Sequence, residues 1–389
     1  MIQFRELNEE SRRQRPPRAH LVVERGSGPL VRVAGRAAPC VSFCSNDYLG
    51  LARHADVVAA LQQAAAAFGV GAGSSRLLAG HHGEHRALEE ELADFLGVEA
   101  ALSFTSGFAG TTGVLDALVD AAGGPGAARF FVDQLGHASA RYALDRRGVA
   151  AVSYRHGDPR DLETHLARGG DSPQHQVIVT DGVFSADGLI APVAQLAALA
   201  RAHSALLVVD DAHGIGTVGA GGRGALAASG VAPGAIGLLL GTCSKALGTC
   251  GGFVAGSRDA IDYLRQTTRS HAYSTALPAC LARATRKSLA VLRAEPWRHA
   301  ALVRICEHFS RAARQAGLST GASETAIRTV QVAAGDSAAD LATRLLDDGI
   351  FLCAPLDPAA AALRITLTIE HEPAHVDRLI DALTRRAAR

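Results

Sequence analysis

Between about residue 40 and residue 290, short apolar, β-branched runs alternate with alanine- and leucine-rich stretches of helical length, and this alternation restricts the fold more than any other feature. It is the pattern of a parallel sheet with crossover helices. The candidate strands are AALSF (100–104), ARFFV (128–132), AAVSY (150–154), QVIVT (176–180), ALLVVD (205–210), GLLLGT (237–242) and GGFVAG (251–256). VAALQQAAAAFG (58–69), HRALEEELADFLG (85–97) and PVAQLAALARAH (192–203) read as helices, the last two ending where glycine or histidine caps them. Past residue 290 the texture changes. A long helical stretch (281–317) leads to strand-like AIRTVQVAAG (326–335) and LRITLTIE (363–370) and to a last amphipathic helix. We expect an α/β fold with an N-terminal arm (1–40), a large domain (41–290) built on a mostly parallel seven-stranded sheet, and a smaller α+β domain (291–389) that the arm joins.

Charge narrows the partners. Lys and Arg total 39 against 38 for Asp and Glu, so no excess of positive charge favours nucleic acid or an anionic membrane, and a small neutral or anionic metabolite is the expected ligand. The seven cysteines are odd in number and scattered, without paired-knuckle spacing, and read as buried thiols of a reducing compartment. The opening MIQFRELNEESRRQRPPR has no apolar segment of signal-peptide type, and no uncharged run of membrane-spanning length follows, so we expect a cytoplasmic protein.

Three local patterns carry chemistry. In LLVVDDAHGIG (206–216) an apolar strand delivers Asp210 and then His213 to the carboxyl end of the sheet, where ligands of open α/β folds sit; a capping Asp and a surface His fit the same letters. In LLLGTCSKALGTCGG (238–252) a lone Lys245 follows an apolar strand and Thr242. Burial of an ammonium lowers its pKa and makes it the kind of amine that forms Schiff bases, although a lysine after a strand is more often at the surface. In SFTSGFAGTTG (103–113) a strand runs through Ser-Gly into a helix start whose free N–H groups suit a phosphate, and loop geometry explains many such turns. Together they specify one cofactor: an acid for a protonated ring nitrogen, an amine for an aldehyde and a helix start for a phosphate are what proteins supply to pyridoxal 5′-phosphate.

Nine blocks in order extend this reading: FCSNDYLGL (43–51), GAGSSRLLAGHHGEHRALEEELADFLG (71–97), TSGFAG (105–110), DQLGHAS (133–139), TDGVFSADGLIAP (180–192), VVDDAHGIGTVGAGGRG (208–224), GTCSKALGTCGG (241–252), YSTALP (273–278) and LRITLTIEHE (363–372). Through them the chain resembles the α-oxoamine synthases, a branch of the fold-type I pyridoxal-phosphate enzymes. The resemblance implies Lys245 as the Schiff-base lysine and the base for the α-proton, Asp210 at the pyridinium nitrogen, His213 by the ring hydroxyl and His137 on the ring face. It further implies Gly107, Phe108 and Thr242 at the phosphate, Ser185 near the ring hydroxyl, and Thr275 reaching the neighbouring subunit's phosphate across a homodimer with shared active sites. Asn46, Ser74 and Arg364 fall on the substrate side, Arg364 to receive an amino-acid carboxylate, and Arg18 matches an arginine near the acyl substrate. The implied reaction is the decarboxylative condensation of L-alanine with a pimeloyl thioester, on CoA or acyl carrier protein, in biotin biosynthesis. Glycine-using relatives and a pyridoxal-phosphate transaminase are the alternatives.

Departures and distractors are few. Asp181 stands where relatives commonly have Glu, and the segment 352–362 lacks the Arg-Pro-Pro and Thr-Val-Pro elements expected of a biotin-pathway enzyme. His81 and His85 are four apart without a third ligand nearby, so we expect no metal and read a turn entering a helix. We read His371, between two glutamates, as solvated surface, Trp297 as packed, and the arginines of 12–18 as a solvated helix face from which Arg18 is one candidate among several.

Overall fold

The computed structural model describes residues 21–26, 28–168, 175–333, 336–352 and 361–387. The chain enters through three short strands, β1 (Val23–Arg25), β2 (Leu30–Val33) and β3 (Cys40–Ser42), then helices α1 (Ala55–Phe68) and α2 (Gly83–Leu96). Alternation follows: β4 (Ala100–Phe104), α3 (Gly107–Ala121), β5 (Ala128–Asp133), α4 (Ala138–Arg146), β6 (Val152–Tyr154), α5 (Pro159–Ala167), β7 (His175–Asp181), α6 (Val193–Ala202), β8 (Leu206–Asp210), β9 (Leu238–Thr242) and β10 (Gly252–Gly256). Helices α7 (Arg258–Thr267), α8 (Ala279–Ala294) and α9 (Trp297–Gln315) lead to β11 (Ile327–Gln331), α10 (Ala338–Asp347), β12 (Ile350–Phe351), β13 (Ala362–Thr366) and α11 (Pro373–Ala387).

The seven expected strands form one sheet in the order β4-β10-β9-β8-β7-β5-β6. Strands β9, β8, β7, β5 and β6 pair in parallel, while β10 runs antiparallel to both β4 and β9. Residues of β4, β5, β7, β8 and β9 are buried on both faces, as a sheet covered by crossover helices requires. On β9, Gly241 leaves the space that Phe253 of β10 fills: a Cβ there meets the Phe253 ring at 2.4 Å.

The C-terminal part is organised separately. Strands β11 and β13 pair antiparallel with Thr329 opposite Arg364, and β3 joins β12 in parallel, Val41 opposite Ile350, so the residues before the large sheet share a sheet with residues near the C-terminus. The stretch 281–317 is two helices rather than one. Glu295, at φ −120° and ψ 63°, breaks the spiral before Pro296, because a residue preceding proline is pushed out of the α region. Helix α8 crosses position 290 and packs on α1 and α2, so no linker separates the two parts.

Two burial assignments, His371 as surface and Trp297 as packed, are corrected. His371 is buried, with its ring stacked on Phe43 at 4.4 Å and Nε2 2.9 Å from the Ser42 carbonyl oxygen; Glu372 is exposed and Glu370 half-buried, while the turn after β13 carries the imidazole in. Trp297 is 53% exposed and lies under the Arg298 guanidinium at 4.6 Å, because it opens α9 rather than sitting in its core face. Cys40, Cys243, Cys280 and Cys306 are buried free thiols, whereas Cys44 and Cys250 are only partly covered. Among the described residues no helix is long and apolar enough to cross a membrane.

Candidate active site

The carboxyl ends of β4, β7, β8 and β9 converge on one cavity of about 210 Å³, and Gly107, Phe108, His137, Asp210, His213, Thr242 and Lys245 all line it. Parallel strands that end together leave such a crevice, and the last residues of β7, β8 and β9, Asp181, Asp210 and Thr242, all line it. Alternation along β8 then separates the tandem acids. Asp210 faces the cavity, whereas Asp211 is fully buried, its Oδ2 accepting the Ala225 N–H at 2.7 Å in a pocket walled by glycines: a Cβ on Gly182, Gly214 or Gly224 would lie 2.2, 2.0 or 1.9 Å from its oxygens.

Asp210 is held as an acceptor on both oxygens. Oδ2 takes the Thr111 hydroxyl at 3.0 Å and Oδ1 the Ala212 N–H at 3.2 Å, an arrangement that fixes the orientation of the carboxylate. Asp181 is buried and accepts the His137 N–H at 3.1 Å; burial, reinforced by the charge of Asp210, raises its carboxyl well above the usual range. Burial first, then the nearby Lys245 charge, holds His213 well below the usual imidazole range, and its Nδ1 lies 2.7 Å from the hydroxyl oxygen of Tyr48. Desolvation lowers Lys245 to about 8, against the opposing pull of Asp210 and Asp181. The amine is therefore neutral in a useful fraction near physiological pH.

The other end of the cavity is a helix start. Ser106 caps α3, its Oγ accepting the Ala109 N–H at 3.1 Å, and the N–H groups of the first turn have no partner within the helix. Thr242 stands beside them, its hydroxyl donating to the Gly251 carbonyl at 2.8 Å. Only bare backbone fits here: a Cβ on Gly252 would lie 2.5 Å from Gly107 Cα, and one on Gly107 3.3 Å from Thr242 Cβ. Helix dipole, open N–H groups and hydroxyl suit a phosphate dianion. A fixed carboxylate, a desolvated amine and this cradle in one cavity fit pyridoxal phosphate.

The remaining expected residues divide into two groups. Arg364, on β13, donates Nε to the Ser185 carbonyl at 2.6 Å and Nη1 to the Thr366 hydroxyl at 2.9 Å; it does not line the cavity, but its charge acts on Lys245, His213 and Tyr48. Asn46 joins this side, its Oδ1 accepting the Tyr48 hydroxyl at 3.4 Å. Ser74 and Thr275 lie elsewhere, together: the Ser74 carbonyl accepts the Ala276 N–H at 3.0 Å and Ser75 bridges Thr275 on an exposed ledge. Arg18 lies outside the described residues, as does most of the segment 352–362. His81 and His85 are used locally, His81 by Arg76 Nε at 2.9 Å and His85 by the Leu277 carbonyl at 2.6 Å. Among the described residues no group of three or more His, Cys, Asp and Glu is arranged for a metal ion.

Sequence reading missed Tyr48 and Thr111 and treated Asp181 only as a departure. Thr111 was findable, since it lies four residues after Gly107 and so on the same face of α3. Tyr48 gave no such signal, because its partner His213 is distant in the chain.

The chain matches the family model "Aminotransferase class I and II" over residues 38–383. It is 40% identical over 372 residues to the 8-amino-7-oxononanoate synthase of Thioalkalivibrio sulfidiphilus, covering 95% of this chain and 93% of that one. The 8-amino-7-oxononanoate synthase of Methylococcus capsulatus is 43% identical over 356 residues, 90% of each. Among solved structures, a serine palmitoyltransferase from S. paucimobilis with a bound PLP–myriocin aldimine superposes with a TM-score of 0.87 at 26% identity, covering 98% of this chain and 96% of that one.

Proposed function

Because the chain belongs to the aminotransferase class I and II family and, within it, to the 8-amino-7-oxononanoate synthases, we infer that it condenses L-alanine with a pimeloyl thioester to 8-amino-7-oxononanoate, CO₂ and free thiol, a step of biotin biosynthesis. It is a pyridoxal-phosphate-dependent acyltransferase. The observation that carries this reading is the placement of Lys245, Asp210 and the start of α3 around one cavity.

Pyridoxal phosphate, when bound, supplies an aldehyde for the amine of lysine or substrate and a cationic ring that accepts the electrons freed at the amino acid's α-carbon. The chain's own residues do the rest. Asp210, fixed by Thr111 and Ala212, would keep the proton on the ring nitrogen. The N–H groups of Gly107 and Phe108 and the Thr242 hydroxyl hold the phosphate. His213, neutral through burial and anchored by Tyr48, would serve the ring hydroxyl, and His137 would cover the ring face. Lys245, with basicity lowered to about 8, carries the cofactor between turnovers and takes the α-proton at Nζ. Arg364, oriented by the Ser185 carbonyl, receives the amino-acid carboxylate, with Asn46 beside it. The shorter Asp181 still reaches the His137 N–H, which supports the view that the departure leaves the cofactor side working.

Thr275 and Ser74 belong to a homodimer interface in this reading. Leu77, Leu78 and Tyr273 around them are 61%, 78% and 78% exposed, an apolar patch that a second copy would cover while bringing Thr275 to its partner's phosphate. The large domain (41–290) then holds the cofactor and the small one (291–389) brings Arg364. The acyl chain arrives on CoA or acyl carrier protein, in the cytoplasm, where free thiols such as Cys243 and Cys280 persist. The test is to incubate purified holoenzyme with a panel of amino acids and acyl thioesters and follow thiol release and product mass. L-alanine with pimeloyl thioester is expected to give the largest kcat/KM; turnover with glycine but not L-alanine overturns the assignment.

A further inference from the structure

His156 is not among the residues lining the cavity, yet both its ring nitrogens are engaged. Nδ1 lies 2.8 Å from Asp133 Oδ1 and Nε2 3.1 Å from Asp187 Oδ2, and the ring stands edge-on to Phe184, centroids 4.4 Å apart at 85°. An imidazole can donate to carboxylates from both nitrogens only as a cation. Burial works against that charge, but the two carboxylates outweigh it and raise the group to about 9. The neighbouring Arg155 turns instead to Asp158 and Asp161, leaving the two carboxylates to His156.

Each carboxylate roots a different functional loop. Asp133, at the end of β5, also accepts the Leu135 N–H at 2.8 Å and the Gly157 N–H at 2.8 Å, which shapes the turn that leads to His137. Asp187 accepts the Leu189 N–H at 3.1 Å within the loop after β7, and in that loop the Ser185 carbonyl receives Arg364 Nε at 2.6 Å. The loop is gripped from the other side too, since the Gly188 carbonyl accepts both the Ser323 and Thr325 hydroxyls at 2.9 Å.

We propose that His156 is a positioning residue: bridging Asp133 and Asp187, it locks the His137 turn to the Ser185 loop and so fixes where Arg364 presents its guanidinium to the amino-acid substrate. This rests on the role given above to Arg364. Loss of the bridge frees the Ser185 carbonyl to wander, so the guanidinium is misplaced, while the His137 turn keeps the contacts of Asp133 with the Leu135 and Gly157 N–H groups and of Asp181 with the His137 N–H.

The experiment compares holoenzymes of His156→Gln, Asp187→Asn and the double variant with the parent, by steady-state kinetics and by amide hydrogen exchange. Each single variant is expected to raise the amino-acid KM about tenfold, with kcat and the acyl-thioester KM changed by less than about threefold. The double variant is expected to be no worse than either single one, since both cut the same bridge. Exchange over residues 183–190 accelerates in each, and Asp187→Glu restores part of the affinity. Asp187 is partly exposed, so its variant keeps the test open should His156→Gln fold poorly. Additive effects, an unchanged amino-acid KM, or exchange over 183–190 at the parent rate would overturn the proposal. A parent enzyme that prefers another amino acid defeats the L-alanine assignment alone; the exchange rates and the KM of the preferred amino acid still decide the role of His156.

Discussion

Tyr48 and His213 are paired in the interior, the phenolic oxygen 2.7 Å from the imidazole Nδ1. Burial drives the phenol above and the imidazole below their ordinary ranges, so both are neutral and each satisfies the other. Tyr48→Phe leaves Nδ1 of His213 without this partner in a buried site, at a cost of about 1–3 kcal/mol. Urea denaturation should show a lower midpoint with an unchanged slope, and an unaltered midpoint would mean that the contact contributes nothing net.

Lys245→Ala removes the amine around which the cavity is built. The variant is expected to fold, to bind pyridoxal phosphate without the visible band of the lysine-bound form, and to lose about a thousandfold or more in kcat. An absorbance spectrum identical to the parent's would show that another amine carries the cofactor.

Arg364→Ala is expected to raise the amino-acid KM by about ten- to a hundredfold while leaving the cofactor in place, because the variant removes the guanidinium proposed to receive the substrate carboxylate and no residue of the proposed phosphate cradle. Arg364 also braces Ser185 and Thr366, at 2.6 and 2.9 Å, so the thermal midpoint should fall slightly. Loss of pyridoxal phosphate on gel filtration would instead make Arg364 a structural residue.

Asp211 makes the pH response of stability specific. Burial raises its carboxyl to about 8, the Ala225 N–H opposes the rise, and Oδ1 has no hydrogen-bond partner among the described residues. The native state therefore keeps a proton that the unfolded chain releases near the ordinary value of 3.8. Its contribution is fully present below about pH 4 and is lost as pH rises to about 8. In Asp211→Asn, which carries no ionisable group, the parent-minus-variant stability difference should decline across this window; a difference constant with pH contradicts a protonated Asp211.

How far the sequence could be read depends on where each residue's partners lie. The β8–β9 strand ends announced Asp210, His213 and Lys245, because an apolar run that stops at a charged or titratable residue marks both a strand and its exit. Thr111 needed only the helical repeat. Tyr48 and His156 depend on strand order: Tyr48 meets His213 far along the chain, and His156 follows β6, which lies beside β5 only through the sheet's topology. Local texture also misled at His371, where two flanking glutamates suggested water although the ring covers Phe43. The break at Pro296 was written in the chain, whereas the placement of Thr275 beside Ser74 was not.

Strand β4 lies at the edge of the large sheet, with β10 as its neighbour, and the two pair from Gly252 opposite Phe104 to Gly256 opposite Ala100. During synthesis, β4 and the Ser106–Gly107 turn behind it must wait until residue 256 has left the ribosome before their ladder can close. A nascent chain arrested earlier presents an apolar strand with an open hydrogen-bonding edge, a target for chaperones, and it gains cofactor competence only when β10 slots between β4 and β9.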